Sequence, residues 1–445
     1  MLSVLANRTY RHLFAAQVIA LVGTGLMTVA LGLLAFQIGG NKAGAVLGTA
    51  LAIKMIAYVG VAPIVGSLAG RLPRRSFLVA MDLLRASVAI AFPFVSEVWQ
   101  IYALIFILQA ASAAFTPTFQ ATIPDVLTDE RDYTRALSLS RLAYDLENLL
   151  SPTLAAVLLT VISFKVLFAG TIVGFLCSAA LVISVQLPST AVGPSVGQSF
   201  YEKTTNGIRI YLATPRLRGL LALNLSVAAA GAMVIVNTVV LVRALLGRPD
   251  NDVAVALACF GGGSMLSALL LPSVLDRLPD RVVMISAAGL LTALLLALSA
   301  ALFLPMGDQI WPVVLGVWVL IGIGYSAVQT PTGRLLRRSA ASTDRPAVFA
   351  AQFALSHACW LLTYPLAGRL GSSAGLASTA AILAVITLAG VVLAWILWPA
   401  NDPEVIEHDH PGLAPDDPHL VDALQRRHAH AFVIDDHHRR WPNDA

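Results

Sequence analysis

Gly66-Ser-Leu-Ala-Gly-Arg-Leu-Pro-Arg-Arg75 and Pro272-Ser-Val-Leu-Asp-Arg-Leu-Pro-Asp-Arg281 are two copies of one short basic turn, 206 residues apart in a chain of 445. Each follows one long apolar run and precedes another, so the repeat is a repeat of whole helical units and not of a single motif. Hydrophobic residues make up 57% of the chain, charged residues 12%, and the mean hydropathy is +0.78. A soluble domain carries about 25% charged residues. In water this composition would leave large apolar patches; a lipid bilayer is the solvent that removes them.

Working outward from the two turns, runs of about 20 apolar residues recur between charged or Pro/Gly breaks. Twelve are predicted to span the membrane: 13–38, 44–68, 77–95, 99–121, 136–161, 165–187, 218–242, 253–275, 282–304, 310–331, 346–368 and 376–398. The first is too long for the core of a signal peptide. An even number puts both termini on one side, and the positive-inside rule selects the cytoplasm. With that orientation, inside segments hold seventeen Lys/Arg residues and outside segments five. The longest internal break, 188–217, holds Pro188, Gly193, Pro194 and Gly197 and divides the spans six and six. The expected organisation is an N-terminal half (1–187), a cytoplasmic linker (188–217), a C-terminal half (218–398) and a cytoplasmic tail (399–445), inserted in the cell inner membrane as a monomer.

The paired turns resemble the loop between helices two and three of the major facilitator superfamily, a Gly-x-Leu-Ala-Asp-Arg-x-Gly-Arg type of sequence. Gly70 stands here for the usual aspartate and Pro73 for the second glycine, whereas the second copy keeps its acid as Asp276. The resemblance implies an all-α fold of twelve transmembrane helices in two six-helix halves, with Gly66, Arg71, Arg75, Asp276, Arg277 and Arg281 in conformational loops. It also implies that spans two and eleven face each other, as do five and eight. Asp82-Leu-Leu-Arg85, Phe115-Thr-Pro-Thr-Phe-Gln-Ala-Thr-Ile-Pro-Asp125 and Leu150-Ser-Pro152 resemble the exporter branch of that superfamily. Tyr144-Asp-Leu-Glu-Asn-Leu-Leu-Ser-Pro152, Phe353-Ala-Leu-Ser-His-Ala-Cys-Trp360 and the histidine-bearing tail resemble bacterial nickel/cobalt-resistance permeases of that branch.

Ionisable residues deep in apolar spans are costly, which makes them functional candidates. Lys54 lies ten residues into span two, Asp145 and Glu147 about ten into span five, and His357 about twelve into span eleven. At a rise of about 1.5 Å per residue, all four stand roughly 15–18 Å from their faces, near the midplane. Asp145 and Glu147 are two residues apart, about 200° around a helix, so they do not both point into one cavity. Either can be the working carboxylate and the other structural. Asn148 shares the face of Asp145. Cys359 completes a His-x-Cys pair with His357 that a helix splits around its axis. A satisfied charge network and a hydrogen-bonded packing histidine are the bland readings of the same residues. Gln17, Thr24, Gln109, Asn224, Asn237 and Gln329 on other presumed cavity helices read as helix–helix contacts before ligands.

Seven of the nine histidines stand in the last 38 residues: His408, His410, His419, His428, His430, His437 and His438. Neutral imidazoles beside carboxylates suit Ni, Co, Zn or ferrous iron better than cuprous copper. From Pro399 onward there are 4 Arg against 10 acids, so the tail is acidic while the body is basic. Six prolines from Pro399 to Pro442 argue against a long helix, Leu420 to His430 excepted, and predict a largely disordered segment that can fold around an ion. Cys177, Cys259 and Cys359 lie in apolar runs and make no disulfide framework.

No HExxH, GxSxG or P-loop occurs, so an enzyme is not expected, nor is a cofactor. Gly322-Ile-Gly324 mimics a dinucleotide fingerprint but lies inside a span with no preceding strand. Basic residues follow the topology, so no nucleic acid is expected as a partner. The combined expectation is a proton-coupled exporter of a divalent metal ion, nickel or cobalt first, with an exporter of siderophores or drugs as the alternative.

Overall fold

The computed structural model describes residues 2–69, 73–127, 151, 153–187, 200–304, 309–340, 344–402, 405–409, 427–434, 438 and 441–442, with 129, 132, 136, 139, 140 and 143 between. In the first half the helices are α1 (Arg8–Gly39), α2 (Ala43–Ala69), α3 (Arg74–Ala91), α4 (Val98–Val126) and α5 (Phe164–Ile183). A linker helix, α6 (Phe200–Ala213), leads to α7 (Pro215–Val239), α8 (Asp250–Leu275), α9 (Asp280–Phe303), α10 (Ile310–Gln329), the short α11 (Thr332–Arg338), α12 (Arg345–Ser373) and α13 (Leu376–Leu397). Among the described residues ten segments are long and apolar enough to cross a membrane, and the first of them, Arg8–Gly60, contains both α1 and most of α2. Within the fifth expected span, 136–161, residues 137, 138, 141, 142, 144–150 and 152 lie outside the described ones.

Local signals set the helix ends. The Asn7 side chain accepts from Tyr10 N at 3.0 Å and caps α1, as a short amide at the N-cap does. Glu97 and Gln100 form a capping box at the start of α4. Pro215 opens α7, where its missing N–H costs nothing. Gly375, at φ +82°, makes the turn from α12 into α13, a backbone region that favours glycine. α8 ends at Leu275, where the expected span ends, with Pro272 inside it. α2 runs on to Ala69, so Gly66, expected in a loop, is helical, and Arg71 lies outside the described residues. α7 begins at Pro215 because Thr214 and Pro215 start it earlier than the first apolar residue.

The spans are polar-light inside and apolar outside. On α13 the exposed residues include Val385, Leu388, Val392, Leu393 and Ile396, while Thr379, Ala380, Ala384, Thr387 and Gly390 are buried. Lipid gives helices no hydrophobic reason to associate, so small residues that allow close approach do that work. Ser226 Oγ donates to Thr387 O at 2.9 Å, and a side chain at Gly390 would collide with that same Ser226 hydroxyl.

The internal repeat is visible in the packing. α1 packs on α5, α2 on α4, and α3 on both α4 and α5; correspondingly α7 packs on α13, α8 on α10, and α9 on both α10 and α13. The halves meet chiefly where α2 runs along α12, with α7 also touching α1 and α2. The two basic turns obey the same correspondence. Arg75, at the start of α3, donates to Ile183 O at the end of α5. Arg281, at the start of α9, donates to Trp398 O at 2.8 Å and Trp395 O at 3.1 Å at the end of α13. In both, a guanidinium meets the negative end of a helix dipole. One position earlier, the charge is inverted: Arg74 pairs with Asp125 at the end of α4, and Asp280 pairs with Arg334 of α11, beyond the end of α10. Asp276 and Arg277 are exposed.

Residues 399–445, expected to be largely disordered, contain β1 (Val405–Asp409) and β2 (Arg427–Ala431) paired antiparallel. The strand at 427–431 also replaces the end of the helix considered for Leu420 to His430. The reason is tertiary. Asp402 accepts from Arg216 Nη1 at 3.1 Å, Arg338 Nη2 at 3.3 Å and Trp398 Nε1 at 3.2 Å. Arg216, itself fully buried, also donates to Ser339 Oγ at 2.8 Å and lies 5.1 Å from the Trp441 ring centre. Phe432 and Ile434 are buried in the same core, and Trp441 packs on Phe432 with ring centres 5.0 Å apart. The tail is therefore clamped to the linker-side end of the C-terminal half.

Two outcomes test this architecture. Asp280→Arg or Arg334→Asp alone should destabilise by about 1–2 kcal/mol, and the double exchange should regain most of the loss, read as melting temperatures in detergent. A double variant no better than the sum of the singles dismisses the inverted pair. Asp402→Asn weakens the three bonds that meet at this carboxylate, so a loss of about 1–3 kcal/mol in the clamp and faster proteolysis after Trp398 are expected. Resistance to protease equal to the parent's would refute the clamp.

Candidate functional site

The α2–α12 seam brings two of the sequence candidates together. Lys54 Nζ stands 5.9 Å from the centre of the Tyr58 ring, one turn along α2. Tyr58 stacks on the His357 imidazole of α12, with centres 5.9 Å apart and planes at 23°. Phe353 lies 3.9 Å from His357 and 6.1 Å from Tyr58, centre to centre. The His357 Nδ1 contacts Phe353 O at 2.7 Å. A carbonyl only accepts, so Nδ1 carries the proton and the neutral ring keeps its lone pair on Nε2, the form a metal ion requires. Tyr58 was not among the expected residues; its signal was the i,i+4 spacing from Lys54.

Beside this seam, a cavity between α1, α2, α4 and α7 is lined by Thr24, Thr28, Lys54, Gln109, Met27 and Ile235, among others. Its hydroxyls are turned inward on their own helix: Thr24 Oγ1 donates to Ala20 O and Thr28 Oγ1 to Thr24 O. The polar residues that face it are therefore chiefly the Lys54 ammonium and the Gln109 amide. On the other side, Phe260, Tyr325, Trp360 and Tyr364 form a row of rings with successive centres 5.4, 6.3 and 4.9 Å apart. Gly231 leaves the space that the Trp360 ring occupies. Cys359 is half-buried on the far side of α12 from His357. Tyr211 of the linker helix donates to Gln352 on α12; burial pushes this phenol's pKa up, so it stays a donor at neutral pH.

The remaining polar candidates divide between two roles. Gln17 accepts from Ser140 Oγ at 3.1 Å, and Asn237 Nδ2 reaches Ala367 O at 3.2 Å across to α12. Asn224 bonds only to Leu220 O on its own helix. Asp145, Glu147 and Asn148 lie outside the described residues, so the structure leaves their expected grouping with His357 untouched.

One buried charge pair escaped the reading for function. Asp82, with no exposed surface, pairs with Arg85 one turn on and accepts from Ser178 Oγ at 2.8 Å. The Arg85 guanidinium lies between Phe115 at 4.1 Å and Phe175 at 4.5 Å. The i,i+3 charges inside an apolar run were the available signal. The pair is enclosed by α3, α4 and α5, and its contacts are those of a cross-brace.

In the tail, β1 and β2 pair with His408 opposite His428 and Ile406 opposite His430. His428 and His430, two apart on a strand, belong to one face, so three histidines occupy neighbouring register positions on it. His438 is buried, its ring 4.6 Å from Phe432. His410, His419 and His437 lie outside the described residues. Among the described residues no group of three His, Cys, Asp or Glu is gathered as a metal site.

Comparison with known proteins agrees with this architecture. Macrolide efflux protein A of Streptococcus pyogenes is 23% identical over 181 residues, 40% of this chain and 44% of that protein. The chain thus aligns with less than half the length of that curated relative. A D-xylose-proton symporter superposes with a TM-score of 0.65 at 14% identity, covering 89% of this chain and 98% of the other. A bacterial metal transporter gives 0.62 at 14%, covering 88% and 98%; at such identities both speak to the fold. The profile of the Major Facilitator Superfamily matches residues 13–293 and 220–415, together spanning both six-helix halves. With the paired halves, the repeated turns and that match in agreement, the chain belongs to the Major Facilitator Superfamily.

Proposed function

We propose that this carrier exports a divalent transition metal ion, nickel or cobalt first, from the cytoplasm in exchange for protons. It does so from the inner membrane as a monomer, with both termini cytoplasmic. The observation that carries the reading is the hairpin register: His408 stands opposite His428 with His430 two residues on, on a tail clamped to the C-terminal half. Histidines at neighbouring register positions, with carboxylates in the same segment, suit borderline dications.

In this reading the tail raises the local metal concentration at the inner mouth. The ion passes between the halves and meets Asp145 or Glu147 together with His357 Nε2, while Cys359, on the opposite face of α12, is left out of the site. Rocking of the halves exposes it to the other side. Protons arriving on the carboxylate and the imidazole compete with the ion and release it. Lys54 offsets the carboxylate charge when the site is empty. No ATP site is needed, since the proton gradient supplies the work.

A second reading, export of an organic compound, draws on the likeness to a macrolide efflux protein and on the aromatic row from Phe260 to Tyr364. Growth of cells with and without the gene, across a panel of metal salts and of macrolides, separates the two. Protection against nickel and cobalt alone is expected; protection against macrolides alone would transfer the assignment to the second reading.

The site itself is tested in inverted vesicles by radioactive nickel uptake. Glu147→Gln or Asp145→Asn, and His357→Ala, should each lower flux by about tenfold or more. Unchanged flux in all three removes the site. Replacing His408, His428 and His430 with Ala, which spares the Asp402 clamp, should weaken resistance at low metal while leaving maximal flux intact.

A further inference from the structure

At the face opposite the linker, the two halves touch through backbone. A side chain at Gly48 of α2 would run into Tyr364 O of α12, and one at Gly368 of α12 would run into Gly44 O of α2. A side-chain carbon at Gly44 would also come within 2.9 Å of Asn237 Oδ1, and one at Gly371 within 2.5 Å of the same atom. Gly32 of α1 meets Val239 of α7 at 2.9 Å on the same terms, and Arg243 reaches over the Phe36 ring at 5.5 Å. α2 and α12 therefore close this end backbone to backbone, with Asn237 of α7 set against both.

The Asn237 carboxamide points into that seam. Asn237 has no exposed surface, and its Nδ2 donates to Ala367 O at 3.2 Å. Its Oδ1 finds no donor among the described residues, although it faces the glycine backbones of both halves. A buried carbonyl without a donor is costly, and water satisfies it as soon as the halves part. The glycine contacts reward closure through close packing, whereas the amide oxygen is better solvated when the seam opens. A two-state element biased in both directions in this way is what alternating access requires.

We infer that Gly44, Gly48 and Gly368, with the Asn237 carboxamide, form the gate on this face, and that the unsatisfied Asn237 oxygen sets how readily it opens. Asn237 is a positioning residue of the transport cycle: it biases the halves and does not hold cargo. The inference goes beyond the metal reading, and its test needs no substrate, so the two stand or fall separately.

The experiment is a pulsed spin-label distance measurement on the full chain in nanodiscs. Labels go on the exposed Asn41→Cys and Ser373→Cys, with Cys177, Cys259 and Cys359 replaced by Ser. Gly48→Ala and Asn237→Asp should each raise the long-distance population at least threefold, the first by overlap and the second by placing a charge in the dry seam. Asn237→Leu, of similar shape, should return the short distance in the Gly48→Ala background. If Gly48→Ala does not fold, Asn237→Asp against the parent decides. Distances unmoved by Asn237→Asp, or shifted the same way by Asp and Leu, overturn the gate.

Discussion

Backbone-to-backbone contact is the interaction on which the rest of this structure depends. A side chain at Gly263 would overlap Val319 O, and one at Gly322 would overlap Phe260 O, so α8 and α10 approach each other through glycine from both sides. Gly48 and Gly368 do the same for α2 and α12, and Gly23 and Gly174 bring α1 and α5 into a looser version of this contact. In water such helices would be driven together by their apolar faces. In lipid that drive is absent, and close approach has to supply the attraction through dispersion and weak backbone contacts. Pairs inside a half and the pair between halves use one chemistry, but only the latter has to part during transport.

Charge is handled differently at the core of a half and at the join. Asp82 and Arg85 are enclosed with Ser178 and two phenylalanine rings, and a pair held in this way stays put. Lys54 and His357 instead stand at the join, separated by one tyrosine ring and next to a cavity. Depth in the bilayer does not separate a brace from a binding site. Position relative to the surface between the halves does, and in the proposed reading this assigns the second pair to the transport pathway and the first to the scaffold.

The tail extends the C-terminal half. Asp402 collects two guanidinium groups and an indole N–H, and Phe432, Ile434 and Trp441 give the hairpin a small apolar base. A segment fixed in this way moves with its half when the halves rock.

Much of this was readable in the chain. Hydropathy and length determined the spans, the 206-residue repeat determined the two halves, and the charge bias of the loops pointed to one orientation. Each rests on a local property: a run of about 20 apolar residues has no alternative in lipid but a helix. The sequence also showed Arg74 and Asp280 at matching positions of opposite charge, but not that Asp125 and Arg334 answer them. The hairpin was hidden because its strands are held by Asp402 and Trp441, which no periodicity reports. Asn237 read as an ordinary polar contact until the glycines facing it were known. Tertiary structure alone decided these points, because an ion pair, a clamp or a gate depends on which distant surfaces meet. Helix periodicity and hydropathy are summed over one segment at a time and carry no record of that meeting.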